Sequence, residues 1–188
     1  MKKIITTLVI TTAAMIGALP VMAQPPHPIS PHETISAVVD SNRVTITYGR
    51  PYTIKPGTTE VRKIWGGLVP YGKVWRTGAD QATLLTTEQP IVLGGTNIPA
   101  GTYSLFTLPE ADGTAKLIVN KRTGQWGIPY NEKNELTNEL ARVDLNKDTL
   151  DKTVDQFTMA IEKNPSGGGL LKMMWENTQL SAPFTVKK

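Results

Sequence analysis

Apolar and polar residues alternate along much of this chain, with the two-residue period of strands that bury one face. Val44, Ile46 and Tyr48 alternate with Thr45 and Thr47. Phe157, Met159 and Ile161 alternate with Thr158, Ala160 and Glu162, and Leu171, Met173 and Trp175 with Lys172, Met174 and Glu176. Strands are predicted over 35–39 and 44–48, joined by the turn-forming Asp40-Ser41-Asn42-Arg43. Others are predicted at 82–87, 91–93, 102–108 and 115–120, around Val143 and Leu145, and in a last short strand at Phe184 and Val186. Gly94-Gly95 and Pro99-Ala100-Gly101 bracket a tight connection, Asp112-Gly113 marks a further hairpin, and 164–169 reads as a flexible loop. Helix signals are sparse: a single turn within 61–68, and one short helix within 131–142. Turn signals recur about every ten residues, the spacing of a sandwich. The expected fold is all-β, a single-domain antiparallel β-sandwich over 34–188 with long loops.

The N-terminus adds a compartment. Lys2-Lys3 precedes an apolar stretch over 4–19, and Val21-Met22-Ala23 offers small residues at a cleavage site. This is the pattern of a secretory signal peptide over 1–23, with Gln24 as the mature N-terminus. The chain has no Cys, so a lipid-anchored form, disulfides and thiolate metal sites are excluded. The expectation is a soluble exported protein, periplasmic or secreted, with no membrane span after cleavage. Residues 24–33 form an extended, Pro-rich lead-in. Loss of Lys2 and Lys3 from the 20 basic residues leaves 18 against 16 acidic ones, scattered rather than clustered, which argues against a nucleic-acid partner.

The stretch over 63–82 is the densest in chemistry, with Trp65, Tyr71, Trp75 and Arg76 among four glycines. Five segments carry a family resemblance: Ser30-Pro31-His32-Glu33-Thr34, Thr47-Tyr48-Gly49-Arg50-Pro51, the run from Gly67 through Trp75-Arg76-Thr77-Gly78-Ala79, the run from Pro99 through Tyr103-Ser104-Leu105-Phe106 to Pro109, and Gln125-Trp126-Gly127. Together they resemble the DUF2911 family, bacterial exported proteins of unknown function, over nearly the whole mature chain. The family pattern after Gly78-Ala79 is Asn-Glu, where this chain has Asp80-Gln81. The resemblance implies an exported single-domain character and does not supply an activity.

Candidate ligand-binding residues are Arg50, Tyr71, Trp75, Arg76, Asp80 and Trp126. A planar guanidinium in a Gly-rich loop can hold a carboxylate or phosphate through two donors, or it can pair Asp80 and cap loop carbonyls. Exposed aromatics on a sandwich rim stack on sugars or peptide side chains, whereas buried ones plug the core. His27 and His32 are the only histidines; no H-x-x-x-H or H-E-x-x-H spacing is present, so no metal centre is expected. No Gly-x-Ser-x-Gly surrounds a serine, and Ser104 lies inside a predicted strand, which argues against a familiar hydrolase. Paired carboxylates would centre on Asp80 and Glu33. The glycines over 94–101 lack the Gly-Lys-Ser/Thr of a phosphate loop, and no motif asks for a cofactor.

Three readings compete, in this order. The first is a non-catalytic binding module for a small polar ligand, glycan or peptide, with Trp75, Arg76, Tyr71 and Trp126 around one cleft. The second is a structural or interaction protein, with Trp75 and Arg76 buried and Arg76 fully bonded. The third is an enzyme of unassigned type in which Asp80, Arg76 and His32 converge.

Overall fold

The computed structural model describes residues 30–126, 130 and 136–187. The signal-peptide reading, residues 24–29 of the lead-in, His27, Gly127 and the first part of the helix predicted over 131–142 lie outside them. Two antiparallel sheets face each other as a β-sandwich. The larger takes the order β1-β2-β3-β6-β7-β8, from His32–Val39, Asn42–Gly49, Thr83–Thr87, Gly101–Pro109, Ala115–Asn120 and Glu139–Asp144. The smaller takes the order β5-β4-β10-β9, from Thr96–Ile98, Ile91–Leu93, Gly169–Val186 and Asn146–Lys163.

The alternating residues do what their period requires. Val44, Ile46, Tyr48, Leu85, Leu105, Leu117 and Val119 of the larger sheet meet Leu93, Phe157, Met159, Leu171, Met173 and Trp175 of the smaller in one core. Phe106 and Ile118, of opposite parity, cover a minor cluster with Ala82 on the outer face. Asp40 and Ser41 both take positive φ, 46° and 67°, so the first hairpin closes with a two-residue turn whose twist matches its strands. Asn42 therefore belongs to β2, fully buried, where its amide bonds Thr87 Oγ1 at 2.7 Å and its carbonyl accepts the Gln89 N–H at 2.9 Å.

Several elements depart from the sequence expectation. β1 starts at His32, two residues inside the stretch read as lead-in. The connection over 94–101 contains a three-residue strand, β5, made possible by the Gly94-Gly95 turn (φ 54° and 82°). Glu139–Asp144 is a strand: its first residues, 139–142, fall in the stretch read as a short helix, its end is the strand expected around Val143, and Leu136–Asn138 makes one 3₁₀ turn. Edge pairing with β7 and burial of Ala141 and Val143 outweigh local propensity there. The strands expected around Leu171 and Phe184 are a single 18-residue strand, β10. Residues 61–68 form turns rather than a helix, closed by Gly67 N to Ile64 O (3.1 Å) and Leu68 N to Lys63 O (3.0 Å).

The long connection over 50–82 positions the candidate residues. Its start follows β9: Thr53 N bonds Asp155 O at 2.7 Å and Phe157 N bonds Pro51 O at 2.9 Å. Its end takes the place of β3 beside β6, through reciprocal 2.8 Å bonds between Trp75 and Thr107.

Candidate functional site

A cleft of about 300 Å³ opens where this connection crosses the sandwich end, lined by Arg62, Trp75, Arg76, Gly78, Ala79, Asp80 and Trp175 among others. Its floor is aromatic. Trp75 stacks on Trp175 (centroids 5.9 Å, planes 22° apart) and meets Trp65 and Phe157 edge-on at 6.3 and 5.1 Å. Trp75 is only 7% exposed, so its rings serve the core.

The backbone beside Arg76 is bent into an unusual shape. Thr77 and Asp80 take φ of 57° and 64°; for a β-branched residue this is a true outlier, costing on the order of 1–3 kcal/mol. Buried bonds over-determine it: Thr77 Oγ1 to Thr107 Oγ1 at 2.7 Å, and Thr83 Oγ1 donating to Thr77 O at 2.5 Å. Ala79 N also bonds Gly49 O at 3.3 Å, and a Cβ on Gly49 would run into the Ala79 carbonyl. The Tyr48-Gly49-Arg50 and Arg76-Thr77-Gly78-Ala79 motifs are thus two halves of one interlocked loop.

The cleft is rich in donors that lack acceptors. Nε of Arg62, Nε of Arg76 and Nε1 of Trp175 are buried without a hydrogen-bond partner. All three residues line this cleft. Guanidinium and indole N–H groups only donate. An unmade bond at such a group costs about 1–3 kcal/mol, more when the group is charged. The Arg62 Nη2 donates to Tyr52 O. Burial pulls the Arg76 guanidinium below its ordinary pKa, and the Asp80 charge opposes this. No carboxylate lies within ion-pair distance of Arg76 among the described residues. The one acid in the lining, Asp80, is engaged by its Oδ2 with His32 Nε2 at 2.8 Å.

The sequence profile of a family described as protein of unknown function (DUF2911) matches residues 30–184, most of the chain. The chain belongs to the DUF2911 family. No curated protein matches it. No solved structure matches it either. The DUF2911 match spans the interlocked loop, the aromatic floor and both arginines, so the cleft lies wholly within the family's extent.

The other candidates are distributed differently. Arg50 is occupied by protein acceptors: Nε donates to Phe157 O (3.2 Å), Nη2 to Thr158 Oγ1 (2.9 Å), and Nη1 lies 3.3 Å from Glu33 Oε2. It clamps the two sheets together. Tyr71, 42% exposed, lines a different cleft, and Trp126, 65% exposed, bridges the backbone at Gln81 and lines neither. The single cleft expected to gather Trp75, Arg76, Tyr71 and Trp126 therefore holds only the first two. His32 and Asp80 do meet, as the enzyme reading requires, yet no serine hydroxyl bonds His32 among the described residues. No cluster of three or more metal-ligating side chains occurs among the described residues. Sequence reasoning missed Arg62 and Trp175. Trp175 read as an ordinary core position of an alternating strand, and nothing around Arg62 singles it out.

Tyr48 sits beside this clamp. Its hydroxyl donates to Glu33 Oε2 at 2.6 Å and accepts the Met159 N–H at 3.0 Å. Burial, then the bond to Glu33, raises its pKa from 10.0 to about 12. A proton held more tightly in the folded state stabilises fully below the unfolded value and is lost as pH climbs through the folded one. Urea midpoints are thus expected to fall between pH 10 and about 12, and Tyr48→Phe to flatten part of that fall. An unchanged slope in Tyr48→Phe would remove Tyr48 from the account.

Proposed function

We propose that this chain is a non-catalytic binding protein of the cell envelope that holds a small oxyanion, a carboxylate or phosphate, in the Arg62–Arg76 cleft. The carrying observation is that two guanidinium groups, those of Arg62 and Arg76, line one cavity, each with an Nε that no protein acceptor engages, and that the single acid among the described lining residues, Asp80, is bonded to His32. A donor with no acceptor inside the protein takes one from outside, and planar guanidinium groups fit carboxylate and phosphate oxygens. The strained, over-determined loop beside Arg76 supports the reading, because a rigid loop holds its donors ready. The Lys2-Lys3 leader and Val21-Met22-Ala23 support export. Among the described residues, no helix is long and apolar enough to cross a membrane.

The enzyme reading has one observation in its favour, the 2.8 Å His32–Asp80 contact at the cleft edge. In the binding reading that contact fixes the Asp80 side chain through Oδ2; its charge still opposes an anion, and the two guanidinium groups outweigh it.

Calorimetric titration with inorganic phosphate and with succinate tests this. Saturable binding is expected, weakened about 10- to 100-fold by Arg76→Met and by Arg62→Met, as loss of a charged hydrogen bond dictates. Affinity unchanged in both variants, or no binding of either anion at low ionic strength, would sink the proposal.

A further inference from the structure

A second cleft, of about 220 Å³, is lined by Trp65 and shares none of its lining with the first. Trp65 and Tyr71 supply its aromatic surface, and Glu110, Lys147 and Asn177 its polar groups. Its parts are held in place. The ring of Tyr71 lies over Gly66, where an added Cβ would stand 2.6 Å from the ring, so only glycine fits beneath it. The turn that carries Glu110 is closed by Glu110 N to Thr114 O (2.8 Å) and Gly113 N to Glu110 O (3.1 Å). Gly72 N to Pro109 O (2.8 Å) ties the Tyr71 loop to this turn. Lys147 Nζ reaches over Gly113, to 3.3 Å from where a Cβ would be.

The polar groups here are unused by the fold. Trp65 Nε1 is buried without an acceptor, the one such donor outside the Arg62–Arg76 cleft among the described residues. No hydrogen bond or ion pair engages the side chains of Glu110, Lys147 or Asn177 among the described residues. The chemistry differs from the first cleft. A carboxylate, an ammonium and an amide together ask for a ligand that both donates and accepts, and opposite charges disfavour a ligand with net charge. Aromatic surface asks for a flat apolar patch on the same ligand. A pyranose ring has both: hydroxyls that donate and accept around its edge, and a face of C–H groups.

We propose that this cleft is a separate ligand site that holds a neutral sugar ring against Trp65 and Tyr71, with its hydroxyls on Glu110, Lys147 and Asn177.

Saturation-transfer NMR and titration of the full chain with glucose, galactose and N-acetylglucosamine test the proposal. At least one sugar is expected to bind saturably, with ring-face protons receiving most of the transferred signal. Tyr71→Ala and Glu110→Gln are each expected to weaken it about tenfold, and Arg76→Met to leave it unchanged. Glu110→Gln keeps shape and size, so it reads binding even if Tyr71→Ala disturbs the fold. Three results would each overturn the proposal: no saturable binding of any of the three sugars, binding that survives both substitutions unaltered, or a glycine zwitterion that binds while no sugar does. Phosphate binding at the first cleft is read in the same samples, so the two proposals stand or fall separately.

Discussion

Trp75→Ala is expected to lower the unfolding free energy by about 3–5 kcal/mol, the range for truncating a large buried aromatic. Trp75 is 7% exposed and touches three other rings, Trp65, Trp175 and Phe157. Its backbone also joins β6 by two 2.8 Å bonds, which hold the loop in place while the side chain is removed and so limit collapse of the cavity. A limited collapse places the cost toward the upper end of the range. Urea unfolding measures it as a lower midpoint at unchanged slope. Trp126→Ala is the control. Its side chain is 65% exposed, and its loss is expected to stay within about 0.5 kcal/mol. Equal effects of the two substitutions would refute the placement of Trp75 in the core.

The second large effect has the opposite sign. Arg76→Met is expected to raise stability by about 1–2 kcal/mol while removing oxyanion binding. The guanidinium is partly buried, its Nε has no acceptor, and no ion pair offsets its desolvation. Replacing a partly buried guanidinium that no ion pair holds with an apolar side chain of similar length removes that cost. A residue kept at a cost to folding is one whose benefit lies in binding. A folding role for Arg76 would require the reverse, a loss of stability with no separate binding defect. Thermal or urea unfolding of Arg76→Met beside the unsubstituted chain reads the sign directly.

The sequence carried the fold well where strand alternation met strong turn chemistry. Val44, Ile46 and Tyr48 point inward as their spacing requires, and Asp40-Ser41 closes a two-residue turn. It carried the fold less well where pairing partners decide. The first half of β9, with Lys147, Asp148, Asp151 and Lys152, has little apolar content and carries no strand signal, yet residues 146–149 pair with 178–181 of β10. Residues 139–142 read as helix until β7 offers them an edge.

The site was legible to a similar degree. Arg76, Trp75 and Asp80 were found through the density of turn formers around them, and the cleft includes all three. Arg50 shares that local chemistry but is drawn to Glu33, Phe157 and Thr158, partners up to 108 positions away in sequence. Arg62 and Trp175 join the cleft only because the 50–82 connection folds against β10 at Trp175, inside that strand, a long-range event that no local pattern encodes.

Diffraction from crystals of the chain soaked in selenate, a heavier tetrahedral oxyanion, tests the central claim most directly. The account predicts an anomalous peak in the cleft, within hydrogen-bonding reach of the Arg62 and Arg76 guanidinium groups. A cleft without such a peak, and with the Arg76 Nε bonded to a main-chain carbonyl, would contradict it.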